Sequence, residues 1–315
     1  MRAIALISLA ACGTSHLDDA TSATADGTYT VRTRLGITVE TVVPQVTTLH
    51  DFSQHPAHTL IDLADEAGVP AIEELRSVLP DALQGELEGW LDDEIRKVQI
   101  DGLPITTFVG HLSAAARRAL TQFELDSTLV VSGGTSTHRL TAIDLLPAGF
   151  DARYDLTTAP GDITSATASI STHGDALAIG DHRFGFAYGD YVWRAIDDEM
   201  VTRYGTDLRG TVGKAVDCPR IASAVAAECL LGACVGHESE LTDLCEAGLD
   251  EVVAAAHDQI AELRLDALHY ASGTATIVDR DGDGLVDELT AGTWDAELDL
   301  GIGLGPAPAT FTAAR

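Results

Sequence analysis

The spacing of apolar and polar residues divides the chain into strand-like and helix-like stretches. The segment TYTVRTRLGITVE, which follows Gly27, alternates as expected of a half-buried β-strand. Alternation returns at Phe123, where FELDSTLVV and THRLTAIDLL flank Ser-Gly-Gly and predict a hairpin. Further alternating segments are FDARYDL, ITSATASIS and DALAIG and, near the C-terminus, LDALHYASGTATIVD, DELTAGTWDAELDL and ATFTAAR.

Helical spacing occupies the stretches between these strands. Ser113 is a candidate N-cap for the helix in HLSAAARRALTQF, because a serine side chain can accept from the first free backbone N–H groups. The order of elements predicts an α+β fold with a mainly antiparallel sheet packed with amphipathic helices. The helical segments are HTLIDLADEAG, PAIEELRSVL, DALQGELEGWLDDEIRKV, HLSAAARRALTQF, YGDYVWRAIDDEMVTRY and GLDEVVAAAHDQIAELR.

The N-terminus has the layout of an export signal. MRAIALISLAACGTS contains one positive charge, an apolar run and then Cys12. Leu9-Ala10-Ala11-Cys12 resembles the lipobox of bacterial lipoproteins, and this resemblance implies that Cys12 is acylated and becomes the mature N-terminus. The residue after Cys12 is Gly13, where an Asp would imply inner-membrane retention, so the resemblance implies the outer membrane. The alternative is an apolar strand with an incidental cysteine.

The predicted organisation follows from this signal. No second run of about 18 apolar residues occurs, so we expect no transmembrane helix. The divisions are a signal peptide (1–11), a lipidated cysteine with a flexible tether (12–26) and a single α+β domain (27–315). Within that domain we expect a helical block at about 50–122, strands at about 123–180, helices and a cysteine hairpin at about 188–262, and C-terminal strands with a calcium loop at about 263–315.

The remaining cysteines form an even set with the spacing C-x10-C-x4-C-x10-C. Cysteines eleven residues apart are separated by about three helical turns, so they share one face of a helix. A helical hairpin that turns at LLGACVG therefore favours the nested pairs Cys218–Cys245 and Cys229–Cys234, although three connectivities exist. Such bridges require an oxidising compartment, in agreement with export.

The charge excludes one class of partner. Asp and Glu number 49 against 19 Lys and Arg, and the formal net charge is −30. This field repels phosphate backbones, so we expect no nucleic-acid partner.

The stretch DRDGDGLVDEL places acidic residues at a spacing typical of calcium loops. Calcium prefers six to eight oxygen ligands, and a tight turn lets alternate side chains converge on one point. The predicted ligands are the carboxylates of Asp279, Asp281, Asp283 and Asp287 and the backbone carbonyl of Leu285. An EF-hand would carry a glutamate where this loop has Thr290, so we expect a weak, structural site. The alternative is an Asp-Gly turn without metal.

This stretch resembles the D-x-D-x-D-G-x-x-D loops of integrin-type FG-GAP modules and of thrombospondin type 3 repeats. The resemblance spans about a dozen residues and implies a metal loop alone. As a whole, the chain resembles uncharacterised envelope lipoproteins of GC-rich bacteria.

Other polar groups are weaker candidates for chemistry. LHDFSQHPAH contains His50, Asp51, His55 and His58, but Pro56 breaks the helix that would align a histidine pair. GHESEL is not the H-E-x-x-H motif of zinc proteases, and its glutamates suit the first turn of a helix. The aromatic residues of FGFAYGDYVW favour core packing over a pocket wall. Asp197, Asp198 and Glu199 point in different directions on a helix.

Two functions remain compatible with these sequence features. The sequence favours a non-enzymatic, lipid-anchored binding or scaffolding module, with a carrier of lipids or other apolar ligands as one version. The membrane is then the partner of the N-terminal lipid, and Ca²⁺ is the expected structural ion. The alternative is an envelope hydrolase assembled from distant segments, with candidates among His50, His182, His237 and the aspartates.

Overall fold

The protein is an α+β fold with a large antiparallel sheet, as the sequence predicts. The computed structural model describes residues 23–37, 46–68, 81–157, 162–227, 229–230, 233–234, 238–263, 265–299 and 304–315. The strands are β1 (Gly27–Leu35), β2 (Gln99–Ile100), β3 (Leu103–Pro104), β4 (Glu124–Ser132), β5 (Thr135–Asp144), β6 (Arg153–Asp155), β7 (Ser165–His173), β8 (Ala176–Ile179), β9 (His182–Phe186), β10 (Cys229–Leu230), β11 (Ala233–Cys234), β12 (Leu265–Val278), β13 (Glu288–Asp299), β14 (Leu304–Pro306) and β15 (Ala309–Ala314).

Eight of these strands form a closed barrel in the order β13-β15-β1-β4-β5-β7-β8-β12, because β12 pairs back onto β13. Every pairing in the ring is antiparallel. The first and last described strands, β1 and β15, pair with each other. The N-terminal and C-terminal strands therefore belong to the same sheet. Three shorter strands, β6, β9 and β14, extend the sheet beside β5, β12 and β13.

Helices occupy one end of this barrel. The helices α4, α5 and α8 connect directly to β4, β9 and β12, and the strand ends at which they do so lie together. The opposite end carries the turns β4–β5, β7–β8 and β12–β13, and we call it the loop end. The described helices are α1 (Thr47–Gln54), α2 (Pro56–Glu66), α3 (Asp81–Lys97), α4 (Ile105–Thr121), α5 (Tyr188–Tyr204), α6 (Leu208–Ala215), α7 (Cys218–Ala226) and α8 (Glu238–Ala261).

The alternation of each strand fills the barrel interior. In β1, Tyr29, Val31, Thr33 and Leu35 are buried and the residues between them face outward. Aromatic rings occupy the centre: the ring centroids of Trp294 and Tyr270 are 4.6 Å apart, and those of Trp294 and Phe311 are 4.5 Å apart. A Cβ atom on Gly273 would lie 2.2 Å from the Trp294 ring, so this ring position requires glycine.

The helical layer is centred on α8, which packs against α1, α2, α5, α6 and α7. A disulfide joins Cys218, at the start of α7, to Cys245 in α8, as the nested pairing predicts. The predicted helical hairpin contains an additional β-hairpin at its tip, formed by β10 and β11. In that hairpin the backbones of Cys229 and Cys234 are directly paired, while their side chains lie outside the described residues.

Two details of the helices differ from the sequence prediction. The helix predicted to begin at Ser113 begins at Ile105, so Ser113 is not an N-cap. Its side chain is buried inside α4, and its hydroxyl has no hydrogen-bond partner among the described groups. The short helix α1 was not predicted, and Pro56 starts α2 directly after it, as a proline at the first helical turn can.

Candidate functional site

The acidic loop, residues 279–287, connects β12 to β13 at the loop end. The carboxylates of Asp279, Asp281 and Asp283 converge there, each offering an oxygen within 4.8 Å of the others. Oxygens bound to one calcium ion at about 2.4 Å can lie at most about 4.8 Å apart. The distances in this loop therefore allow the three carboxylates to share one cation.

Backbone N–H groups hold these carboxylates in place. The two oxygens of Asp279 accept from Gly282 N at 2.7 Å and from Gly284 N at 3.0 Å. Asp281 accepts from Asp283 N at 3.1 Å, and Asp283 accepts from Leu285 N at 2.7 Å. Gly282 and Gly284 have φ values of +75° and +83°, a conformation that favours glycine. Each carboxylate oxygen has a second lone pair, so these bonds leave acceptor capacity for a metal.

The other predicted ligands have different surroundings. Asp287 lies outside the group of converging carboxylates and accepts from the backbone N–H of Arg280 at 2.7 Å. The Arg280 side chain pairs with Glu288 at 2.6 Å and brings a positive charge to the loop. The donors that converge are hard oxygen atoms, a set that suits Ca²⁺ or Mg²⁺ better than a softer transition metal.

The acidic loop also holds the start of the described chain. Thr24 N donates to Gly284 O at 2.9 Å, and Val286 N donates to Thr24 O at 3.1 Å. The Tyr29 hydroxyl bonds the carbonyls of Ala25 and Val286 at 2.8 and 3.3 Å. The last residues of the segment predicted as a tether, 23–26, are therefore fixed to the barrel beside the acidic loop.

A second group of polar residues lies inside the barrel. Ser127 Oγ is 2.8 Å from His138 Nε2, and His138 Nδ1 is 2.9 Å from His182 Nε2. His182 Nδ1 lies 2.9 Å from Gly180 O, which can only accept, so His182 must donate there. It follows that His138 Nδ1 donates to His182, and that the Ser127 hydroxyl donates to His138.

This order of contacts resembles a nucleophile, a base and an orienting group, but its surroundings do not suit a reaction. All three residues are at most 3% exposed. Burial lowers the pKa of His138 to about 3, with His182 adding to the shift. Burial is also the main cause of a lowered pKa of His182. The group is therefore a neutral, satisfied hydrogen-bond chain in a packed interior.

The other sequence candidates do not form one site. His50 lies in α1 and is exposed, whereas His182 is inside the barrel, and His237 lies outside the described residues. His58 in α2 pairs with Asp62 at 3.2 Å, within its own helix. Glu238 and Glu240 lie in the first turn of α8, as the sequence predicts.

The aromatic and acidic residues near α5 also have separate roles. Phe184, Phe186 and Tyr188 are buried in the core. Asp197 accepts from the backbone N–H of Leu208 at 3.1 Å and Asp198 accepts from the Tyr154 hydroxyl at 2.8 Å, while Glu199 pairs with Arg203. The three consecutive acids therefore have three different partners.

An apolar cavity lies between α2, α3, α7 and α8 and is lined by aliphatic side chains, including Leu60, Leu91 and Leu244. Its volume is about 30 Å³, roughly the space that one water molecule occupies in the liquid. This cavity is therefore too small to hold an apolar ligand.

Comparison with known proteins finds no matching family model, no matching curated protein and no matching solved structure. The lipobox, Leu9 to Cys12, and the first ten residues of the tether lie outside the described residues. None of the helices within the described ranges is long and apolar enough to cross a membrane.

Proposed function

We propose that this protein is a non-enzymatic binding or scaffolding module of the bacterial cell envelope, anchored by a lipid on Cys12 and carrying a structural calcium loop. The proposal includes export to the outer membrane and a second disulfide, Cys229–Cys234. The acidic loop is its main structural support, because three carboxylates are already oriented toward one point. Calcium there would neutralise carboxylates that otherwise repel each other.

The loop also gives calcium a structural role. Residues 23–26 contact the acidic loop through backbone hydrogen bonds at Thr24, and they lead toward the proposed anchor. An ion that orders the loop would therefore stabilise the point at which the chain enters the barrel. We call this role a clip and assign no reaction to the ion.

Calcium binding is tested by titration calorimetry on the full chain before and after chelation. We expect one ion with a Kd of about 10⁻⁴ to 10⁻³ M, the range of weak extracellular sites. At about 10 mM calcium, such a site raises the free energy of unfolding by roughly 1–3 kcal/mol.

Two variants separate this site from general charge effects. Asp281→Asn with Asp283→Asn should abolish the binding heat, because two of the three converging carboxylates lose their charge. Asp151→Asn removes one exposed charge elsewhere and should leave binding unchanged. Equal binding by both variants would show that calcium screens the overall negative charge and does not occupy the acidic loop.

The anchor is tested by expressing the full chain in a bacterium and measuring the mass of its N-terminal peptide. We expect cleavage before Cys12 and an added diacylglyceryl group and acyl chain, both lost in Cys12→Ser. An unmodified Met1 peptide in the wild-type chain would contradict the anchor without affecting the calcium result.

An envelope hydrolase is the second candidate, because Ser127, His138 and His182 have the connectivity of a catalytic triad. A fluorophosphonate probe decides between the two functions. We expect no labelling of Ser127, because its side chain is buried. Labelling that disappears in Ser127→Ala would instead support the hydrolase.

A further inference from the structure

An open groove runs between the antiparallel helices α4 and α5. Their antiparallel packing follows from two contacts: the Tyr188 hydroxyl donates to Ala119 O at 2.6 Å, and the rings of Phe108 and Tyr204 are 5.9 Å apart. The turn at 148–150 forms a further wall of the groove, whose volume is about 260 Å³.

The apolar part of the groove lining is its floor, formed by Phe108, Leu112, Ala115, Phe150 and Met200. The exposed His111 of α4 also lines the groove. Between Phe108 and Arg118, α4 rises about 15 Å, which sets the length of the groove along this helix. An elongated apolar chain fits this shape better than a compact molecule.

One exposed apolar side chain contributes to this groove. Leu103, just before α4, lines it and is 39% exposed. Apolar surface at this end of the groove is therefore accessible from solvent.

A positive charge lies at one end of the groove. The Arg118 side chain is exposed and, among the described residues, forms no ion pair; its Nε donates weakly to Ala148 O at 3.4 Å. The acidic Glu199 on the rim is already paired with Arg203. The remaining acid, Asp101, belongs to the turn that precedes α4, at the opposite end from Arg118.

We infer that this groove binds a medium-chain carboxylate, with the carboxylate at Arg118 and the alkyl chain along Ala115, Leu112 and Phe108. Charge complementarity selects the anionic head, and the apolar floor selects the chain. This inference rests on the proposed function in one respect, because it assigns a ligand to the binding module. It requires neither calcium nor the lipid anchor.

The test is calorimetry of the full chain with sodium decanoate, with decyltrimethylammonium as the cationic probe of similar chain length. We expect saturable binding of one decanoate and no saturable binding of the cation. Arg118→Gln should weaken decanoate binding by about 10-fold or more, because a bond to a charged group is lost. Met200→Trp should abolish it by filling the floor.

A control arginine for Arg118 lies on α5, outside the groove lining. Arg194 pairs with Asp198 and stacks on Tyr154 at 4.9 Å, so Arg194→Gln should bind decanoate as the wild type does. Urea unfolding of each variant identifies any that is misfolded, and the Arg118→Gln result is then decisive on its own. Absent saturation, or equal affinity for the cationic probe, would overturn the inference. The same decanoate titration in the presence of a chelator shows whether decanoate binding depends on calcium. A failure of this inference is thereby distinguished from a failure of the calcium proposal.

Discussion

The barrel and the helical layer bury their apolar side chains in different ways. The barrel fills its interior with large rings, and its central polar groups satisfy one another through Ser127, His138 and His182. The helical layer relies on aliphatic contacts around α8 and on a disulfide, and it leaves an open groove beside α4. The barrel is therefore closed and filled with side chains, whereas the helical layer contains an open groove.

The largest expected effect comes from replacing one tryptophan in each region with alanine. Trp294→Ala should lower the free energy of unfolding by about 3–5 kcal/mol, because it leaves a large cavity among packed rings. Trp193 in α5 is 9% exposed against 2% for Trp294. We expect Trp193→Ala to lower the free energy of unfolding by clearly less than Trp294→Ala does. Urea unfolding followed by far-ultraviolet circular dichroism measures both, and equal losses would contradict the contrast between the regions.

Removing the disulfide should affect the helical layer alone. Cys218 and Cys245 are 27 residues apart, and a loop of this length contributes up to about 3.5 kcal/mol in the chain-entropy model. In the Cys218→Ser, Cys245→Ser variant, we expect faster hydrogen exchange in α7 and the first half of α8, with unchanged protection in β4 and β13. The proposed Cys229–Cys234 bridge would close a much shorter loop, so Cys229→Ser with Cys234→Ser serves as the control. Faster exchange throughout the barrel would show that the two regions unfold together.

The buried histidines should make the barrel sensitive to acid. The folded-state pKa of His138 is about 3, whereas an unfolded histidine titrates near pH 6.5. The neutral folded form therefore contributes its full stability above about pH 6.5, and this contribution is lost as the pH falls toward 3. His138 therefore adds a slope of about 1.4 kcal/mol per pH unit within that window.

The measurement is the free energy of unfolding between pH 7 and pH 5. His138→Phe should have a shallower slope than the wild type, whatever its stability at neutral pH. His173→Gln replaces an exposed histidine on β7 and should retain the wild-type slope. If both variants follow the wild-type slope, the histidine chain is not the acid-sensitive element.

The smallest expected effect concerns a single helix start. Asp207 caps α6 by accepting from Gly210 N at 2.7 Å. Asp207→Ala should reduce the free energy of unfolding by about 1 kcal/mol, since one backbone donor loses its partner. Asp207→Asn keeps a capping oxygen and should restore most of the loss in urea unfolding. If Asn fails to restore it, the charge of Asp207 matters more than the cap.

The sequence predicted the features that depend on neighbouring residues. Alternation identified β1, β4, β5, β7, β8, β12, β13 and β15, and the α+β class followed from their order. The spacing of the cysteines identified the pair Cys218–Cys245. The acidic loop was visible because all its candidate ligands lie within nine residues, whereas the convergence of its side chains required the structure.

Features that depend on distant residues were missed. Closure of the barrel requires β8 to pair with β12 across the segment that contains α5 to α8, which no local pattern reveals. The first turns of α4 contain Ile105, Thr106, Thr107 and Val109, which favour strands, and burial of Ile105 and Val109 overrides that preference. Ser127 and His138 occupy inward positions of alternating strands, a signal that would have identified them as buried polar residues.

Closure of the barrel also has a consequence for self-association. An open sheet presents unpaired N–H and C=O groups along its edges, and a second molecule can add strands there. Here each strand of the ring has a neighbour on both sides, and the additional strands β6, β9 and β14 are only 3, 5 and 3 residues long. If the proposed lipid anchor holds many copies close together on a membrane, such short edges offer little template for aggregation.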